Sequence, residues 1–140
     1  MSKDEDNPSC LALPITSLAP RHARRHLATI GASWPADLLD VALLLTSELV
    51  TNALRYGNGD GIFLTVRHTP DTLRVEVQDA NPAAPKLSRK PDTALEQGRG
   101  LHLIDRLATR WGHTPAAEPA GKTVWFELDH GRAAPDGRSQ

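Results

Sequence analysis

Apolar positions recur along the chain with two periods, and each period marks out a different kind of element. The longest run begins at Pro35 and is not interrupted until Gly57. It repeats at helical spacing, so one helix is predicted over Pro35–Tyr56. At 100° per residue, Val41, Leu44 and Leu45 lie on a line that continues into Glu48, Asn52 and Arg55. The face changes from apolar to polar while still aimed at the core. A carboxylate and a carboxamide placed where a helix should bury leucine are costly unless something occupies the space opposite them.

Upstream, Cys10–Ile15 is a short apolar run containing Pro14, which reads as an edge strand or extended arm. Ser17 can cap a helix through about Ile30, with Pro20 in its first turn, Leu18, Ala23, Leu27 and Ile30 as its apolar side, and Gly31 at its end. Downstream of a Gly57–Gly61 turn the period becomes two. Ile62, Leu64 and Val66 alternate with Phe63, Thr65 and Arg67, giving a strand over Ile62–His68. Thr69-Pro70-Asp71 turns the chain into a second strand, Leu73–Gln78. Leu73, Val75 and Val77 share one face, and parity assigns Asp79 to that face. An acid at the end of a buried row needs a donor, and the exocyclic amine of a purine is one; an ordinary turn residue before Asn81-Pro82 is the alternative.

Ala80–Gln97 carries Pro82, Pro85 and Pro91 with Lys86, Arg89 and Lys90. It exceeds the roughly 12–15 residues of ordinary connections, so it reads as either functional or disordered, and a cationic loop here could close over a polyphosphate. Gly98-Arg99-Gly100-Leu101 follows, ahead of an amphipathic helix with Leu103, Ile104, Leu107 and Ala108. Glycines at a helix start let backbone N–H groups approach phosphate. Strands over Trp111–Pro115 and Lys122–Leu128, joined by Ala116–Gly121, complete the chain, with Val124, Phe126 and Leu128 as an inward row. Trp34, Trp111 and Trp125 are expected to be packing residues.

Composition narrows the possibilities. The chain has 140 residues, 39% of them hydrophobic and 24% charged, which suits one globular domain with a real core. Its net charge of −1 supplies no global field for nucleic acid or an anionic membrane. The lone Cys10 excludes an internal disulfide framework. His22 and His26 stand at i, i+4 with no third metal ligand apparent. The basic face of Arg21, His22, Arg24, Arg25 and His26 reads as a solvated surface or a dock for an acidic protein. No run approaches the ~20 apolar residues of a membrane span, and the polar Met1–Ser9 is unlike a signal peptide, so a cytoplasmic location is expected. Loose tails are expected over Met1–Ser9 and His130–Gln140, bounding a domain over residues 10–129.

With Glu48-x-x-x-Asn52, Asp79-x-Asn81, Gly98-Arg99-Gly100-Leu101 and Gly121-Lys122-Thr123-Val124 in this order, the chain resembles the GHKL, or histidine-kinase-like, ATPase superfamily. Within it the sequence is most similar to anti-sigma-factor serine/threonine kinases of the RsbW and SpoIIAB type. The resemblance implies an α+β fold of the Bergerat type, a two-layer sandwich whose mixed, mostly antiparallel sheet carries helices on one face and an ATP lid. It also implies ATP and Mg²⁺ as cofactors. Asn52 would coordinate Mg²⁺, Glu48 would act as the base, Asp79 would bind the adenine amine, and Gly98 and Gly100 would line the phosphates with Leu101 following them. Arg55, Asn81, Arg99 and Thr123 complete the expected nucleotide site. The implied partners are a STAS-type anti-sigma antagonist and an RNA polymerase sigma factor, with homodimerisation.

Three departures bear on this reading. Asn81 replaces the family's glycine after Asp79, and Asn tolerates the left-handed region best after glycine. Lys122 follows Gly121 where many relatives carry threonine, so a threonine contact with adenine must come from Thr123 or be absent. Tyr56 stands four residues after Asn52, as in many sensor histidine kinases, instead of histidine. A nucleotide-gated binding module without phosphoryl transfer is the alternative function. The catalytic domain of a histidine kinase is less favoured, because only one predicted helix precedes the motif helix. A plain ATPase of the gyrase or chaperone sort would be expected to carry transducer domains.

Overall fold

Strand alternation and helical stripes assemble into two layers. The computed structural model describes residues 8–56, 61–83, 96–116 and 121–131. In chain order the elements are β1 (Ser9–Leu13), α1 (Ala19–Ile30), α2 (Ala36–Tyr56), β2 (Ile62–His68), β3 (Thr72–Asp79), α3 (Glu96–Leu107), β4 (Arg110–Ala116) and β5 (Gly121–Asp129). The sheet runs β1-β2-β3-β5-β4, and every neighbouring pair is antiparallel. The fold class is α+β as expected, but the sheet is not mixed: no parallel pair occurs among the described strands. Residues 84–95 of the predicted lid and most of the two predicted tails lie outside the described residues. So do residues 57–60 of the glycine turn and 117–120.

The core forms where the inward rows meet the helices. Leu64, Val75, Val77 and Phe126 of the sheet are at most 1% exposed, as are Leu27, Leu45, Leu101 and Ile104 of the helices. Burying a side chain of this size stabilises by roughly 1.5–3 kcal/mol. In α2 the buried stripe is Leu38, Ala42, Leu45, Thr46, Leu49, Val50 and Ala53. That stripe is turned from the predicted line: Leu44 is 40% exposed and Val41 only partly buried. The reason is that α2 packs against α1, α3 and the sheet together, so its buried face is broad. Glu48 and Asn52 consequently flank the stripe as half-buried residues, and Arg55 is exposed.

Several boundaries shift for identifiable reasons. β1 is an edge strand as expected, but it begins at Ser9 and stops before Pro14. Ser17 does not cap α1; the N-cap is Leu18, with no side-chain cap, and its N–H donates to Thr16 Oγ1 at 3.1 Å. Gly31 ends α1 at φ −94°, so its need for glycine is not conformational. A Cβ there would come within 2.4 Å of the Trp34 ring. His26 Nε2 is hydrogen-bonded to Ser9 Oγ at 2.9 Å, and no metal-binding group of three His, Cys, Asp or Glu occurs among the described residues. No described helix is long and apolar enough to cross a membrane.

The opposite face of the sheet carries a chain of ion pairs. Arg74 bridges Glu76 and Glu127 at 2.7 Å each, and Arg110 continues the chain to Glu127 and Asp129. Burial alone would raise the Glu127 carboxyl and lower the Arg74 guanidinium. Their hydrogen bonds outweigh it, so Glu127 is held below the usual carboxylate range and Arg74 is raised. Trp34 and Trp111 pack against the core as expected. Trp125 packs as well, on the outer face: the Arg74 guanidinium lies 4.1 Å from its ring centroid, and a Cβ on Gly112 would come within 2.9 Å of the indole.

Candidate functional site

Beside the last turns of α2, the inward rows of β3 and β5 end in charges. Register pairs Val77 with Val124 and, one step on, Asp79 with Lys122. The Lys122 ammonium donates to Asp79 Oδ1 at 3.1 Å, with side-chain exposures of 6% and 4%. It also donates to the Asn81 carbonyl oxygen at 3.1 Å. Two opposite charges removed from water this completely are held by mutual attraction together with the hydrogen bonds that satisfy them.

The turn leaving β3 is built onto the same carboxylate. The Asn81 backbone N–H donates to Asp79 Oδ1 at 2.8 Å, and the Asn81 side-chain amide donates to the Tyr56 carbonyl at the end of α2 at 2.6 Å. Asn81 Oδ1 accepts from the Ala83 N–H at 2.9 Å. One asparagine thus ties the strand exit to the helix end. Gly121 allows the start of β5 to come this close, since a Cβ there would sit 2.1 Å from the Asp79 carbonyl oxygen.

These elements enclose a cavity of about 160 Å³. Leu49, Asn52, Ala53 and Tyr56 line it from α2, Val77 and Asp79 from β3, Lys122 and Val124 from β5, and Asn81 with Ala83 from the turn. Apolar walls with a few convergent polar groups are the usual form of a small-molecule site. Pockets for whole drug-sized ligands run to roughly 300–1,000 Å³, so this cavity has the size for part of a ligand, such as one planar ring system. The donor set fits a nucleobase: Asp79 Oδ1 takes both protein donors, and no described contact engages Oδ2.

A family model described as the histidine kinase-like ATPase domain matches residues 15–128. The chain belongs to that family. Among solved structures, this histidine kinase-like domain is similar to the histidine kinase domain of the Erythrobacter litoralis EL346 blue-light activated histidine kinase. The TM-score is 0.50 at 19% identity, over 82% of this chain and 60% of that one. At that identity the likeness shows the fold, and the chain spans under two thirds of that structure's length. No functionally curated protein matches the sequence. Domains of this family are kinase-like ATPases.

Against this fold the predicted site residues separate. Asn52, Asp79 and Asn81 meet on the cavity wall. Glu48 is half-buried one turn earlier on α2 and is not part of that wall, and Arg55 is exposed outside it. Thr123 is not on the wall either. It pairs with Gln78 and Thr114 and points to the outer face, because side chains alternate along β5. Leu101 is a core residue, 1% exposed. Gly98, Arg99 and Gly100 lie within α3, which begins at Glu96, instead of ahead of a helix.

The cavity-lining charge not expected from the sequence is Lys122. Its signal was present, since it stands two positions before Val124 and shares that residue's inward parity.

Proposed function

We propose that this domain binds ATP with Mg²⁺ and phosphorylates a serine or threonine of a STAS-type anti-sigma antagonist, and that it also acts as an anti-sigma factor holding an RNA polymerase sigma factor. The observation that supports the reading is the convergence of Asn52, Asp79 and Asn81 on one cavity, with Glu48 one turn back on the same helix. In this reading Asp79 accepts a hydrogen bond from the adenine amine, between the apolar walls of Val77, Val124 and Leu49. The Asn52 carboxamide oxygen is a hard donor of the kind Mg²⁺ takes. Glu48 accepts the proton of the attacking hydroxyl, as a base is needed to activate a neutral nucleophile. When bound, ATP would supply the γ-phosphoryl group to the hydroxyl oxygen with ADP as the leaving group, and Mg²⁺ would neutralise charge on the phosphate oxygens. The protein acts in this scheme as a cytoplasmic homodimer.

The test is phosphate transfer from γ-labelled ATP to purified STAS-domain candidates. Wild type labels a serine or threonine on one of them. Glu48→Gln abolishes transfer while ATP affinity changes by less than about tenfold, or ~1.4 kcal/mol. Transfer at the wild-type rate by Glu48→Gln removes Glu48 from the mechanism. Absence of transfer together with ATP-dependent partner binding replaces the kinase with a nucleotide-gated binding module.

A further inference from the structure

We propose that Lys122 gives the base subsite a second reader, so that it accepts purines with a 6-oxo group, guanine and hypoxanthine, as well as adenine. The proposal rests on the reading that the cavity holds the base of a nucleotide. Two sets of valences carry it. An ammonium has three N–H donors. The described contacts of Lys122 use two, to Asp79 Oδ1 and to the Asn81 carbonyl, which leaves one. A carboxylate has lone pairs on both oxygens. The Asn81 N–H and the Lys122 ammonium both take Oδ1, which leaves Oδ2. Asp79 and Lys122 both line the cavity, so the residues that hold an unused acceptor and an unused donor share its wall and are bonded to each other.

Purine nucleotides share ring shape and sugar attachment, so a common pose brings the 6-substituent of each to the same place. In adenine that substituent is an amine, and Asp79 can accept from it. In guanine and hypoxanthine it is a carbonyl oxygen. A carboxylate alone would face that oxygen with its own lone pairs, a repulsive pairing that excludes these bases. Here the ammonium lies 3.1 Å from the carboxylate oxygen, within one hydrogen-bond length, and can donate to the carbonyl with charge assistance.

The experiment is calorimetric titration of the full chain with ATP, GTP and ITP in the presence of Mg²⁺, on wild type, Lys122→Thr and Lys122→Arg. Wild type should bind GTP and ITP within about tenfold of ATP. Lys122→Thr should lose more than about tenfold toward GTP and ITP while ATP changes by less than about threefold, and Lys122→Arg, which keeps the cationic donors, should restore the 6-oxo purines. Circular dichroism melts check that the variants fold; if they do not, the wild-type ratios decide. Wild-type selectivity for ATP of more than about a hundredfold overturns this proposal and leaves the ATP reading intact. Equal loss of all three nucleotides in Lys122→Thr also overturns it. Absence of binding by every nucleotide overturns both readings.

Discussion

Replacing Asp79 with leucine while Lys122 remains leaves an ammonium 5% exposed with the Asn81 carbonyl, at 3.1 Å, as its described partner. Removing one member of a buried ion pair costs about 3–5 kcal/mol, because the remaining charge stays desolvated. The 0.2–1 kcal/mol typical of exposed pairs does not apply at exposures of 6% and 4%. The carbonyl softens the loss, so about 3 kcal/mol is expected for Asp79→Leu, out of a total of roughly 5–15 kcal/mol. At roughly 2–8 °C per kcal/mol, the melting temperature should fall by about 10 °C. Adding Lys122→Met removes the stranded charge and should recover part of that loss, leaving the double variant about 1–2 kcal/mol below wild type because the Asn81 N–H and carbonyl lose their partners. Urea titrations followed by tryptophan fluorescence give both values. A loss below about 1 kcal/mol in the single variant, or a double variant less stable than the single, would refute the buried pair as described.

Further outcomes follow from other contacts. Gly121→Ala would put a methyl 2.1 Å from the Asp79 carbonyl oxygen and 2.9 Å from Ala80 Cα, so backbone must move; a loss of about 1–3 kcal/mol or more and weaker nucleotide binding are expected by chemical denaturation and calorimetry. Asn52→Ala, at a half-buried wall position, should abolish Mg²⁺-dependent ATP binding with little change in melting temperature. Burial lowers the His68 imidazole below its ordinary value, and the charge of neighbouring His130, stacked with a ring-centroid distance of 5.1 Å, lowers it further. The unfolded chain therefore binds the proton more readily, and the stability from neutral His68 is full above about pH 6.5 and lost as pH falls from there toward the folded value. His68→Phe should flatten that acid-side decline in melts taken across the range.

Much of this site could be read from periodicity alone. The strand period carried Asp79 onto the buried face, and its 4% exposure follows from the same parity that buries Leu73, Val75 and Val77. The helix run carried Asn52 to the wall, although packing on three sides turned the buried stripe away from Leu44. Two features were obscured by expecting a threonine after Gly121. Carrying the Val124–Phe126–Leu128 row one step back lands on Lys122, opposite Asp79, whereas Thr123 belongs to the outer face. The start of α3 was obscured for another reason: Gly98 and Gly100 disfavour a helix interior by about 1 kcal/mol each, yet Glu96 and Gln97 ahead of them are good helix formers and the helix begins there. The lid reading falls largely on residues outside those described.

The charges on the two faces of the sheet differ in what they can be for. The outer chain from Arg67 to Asp129 is open to solvent at its ends, where Arg67, Arg110 and Asp129 are 46–50% exposed, so its outer pairs contribute little. Asp79 and Lys122 stand in rows that are otherwise apolar, where leucine and methionine would recover much of the pair's stability while leaving the Asn81 N–H and carbonyl without these partners. Folding gives the pair one use, since both charges bond the Asn81 backbone and hold the turn that leaves β3. Its location suggests a second: both residues border the cavity at the end of α2, and each has a hydrogen-bonding valence that no described contact uses. If the pair serves only the fold, a double apolar replacement at Asp79 and Lys122 will leave nucleotide affinity unchanged. If it reads a base, the same replacement will still fold, more stably than Asp79→Leu alone, and will not bind nucleotide, which separates stability from function at one pair of positions.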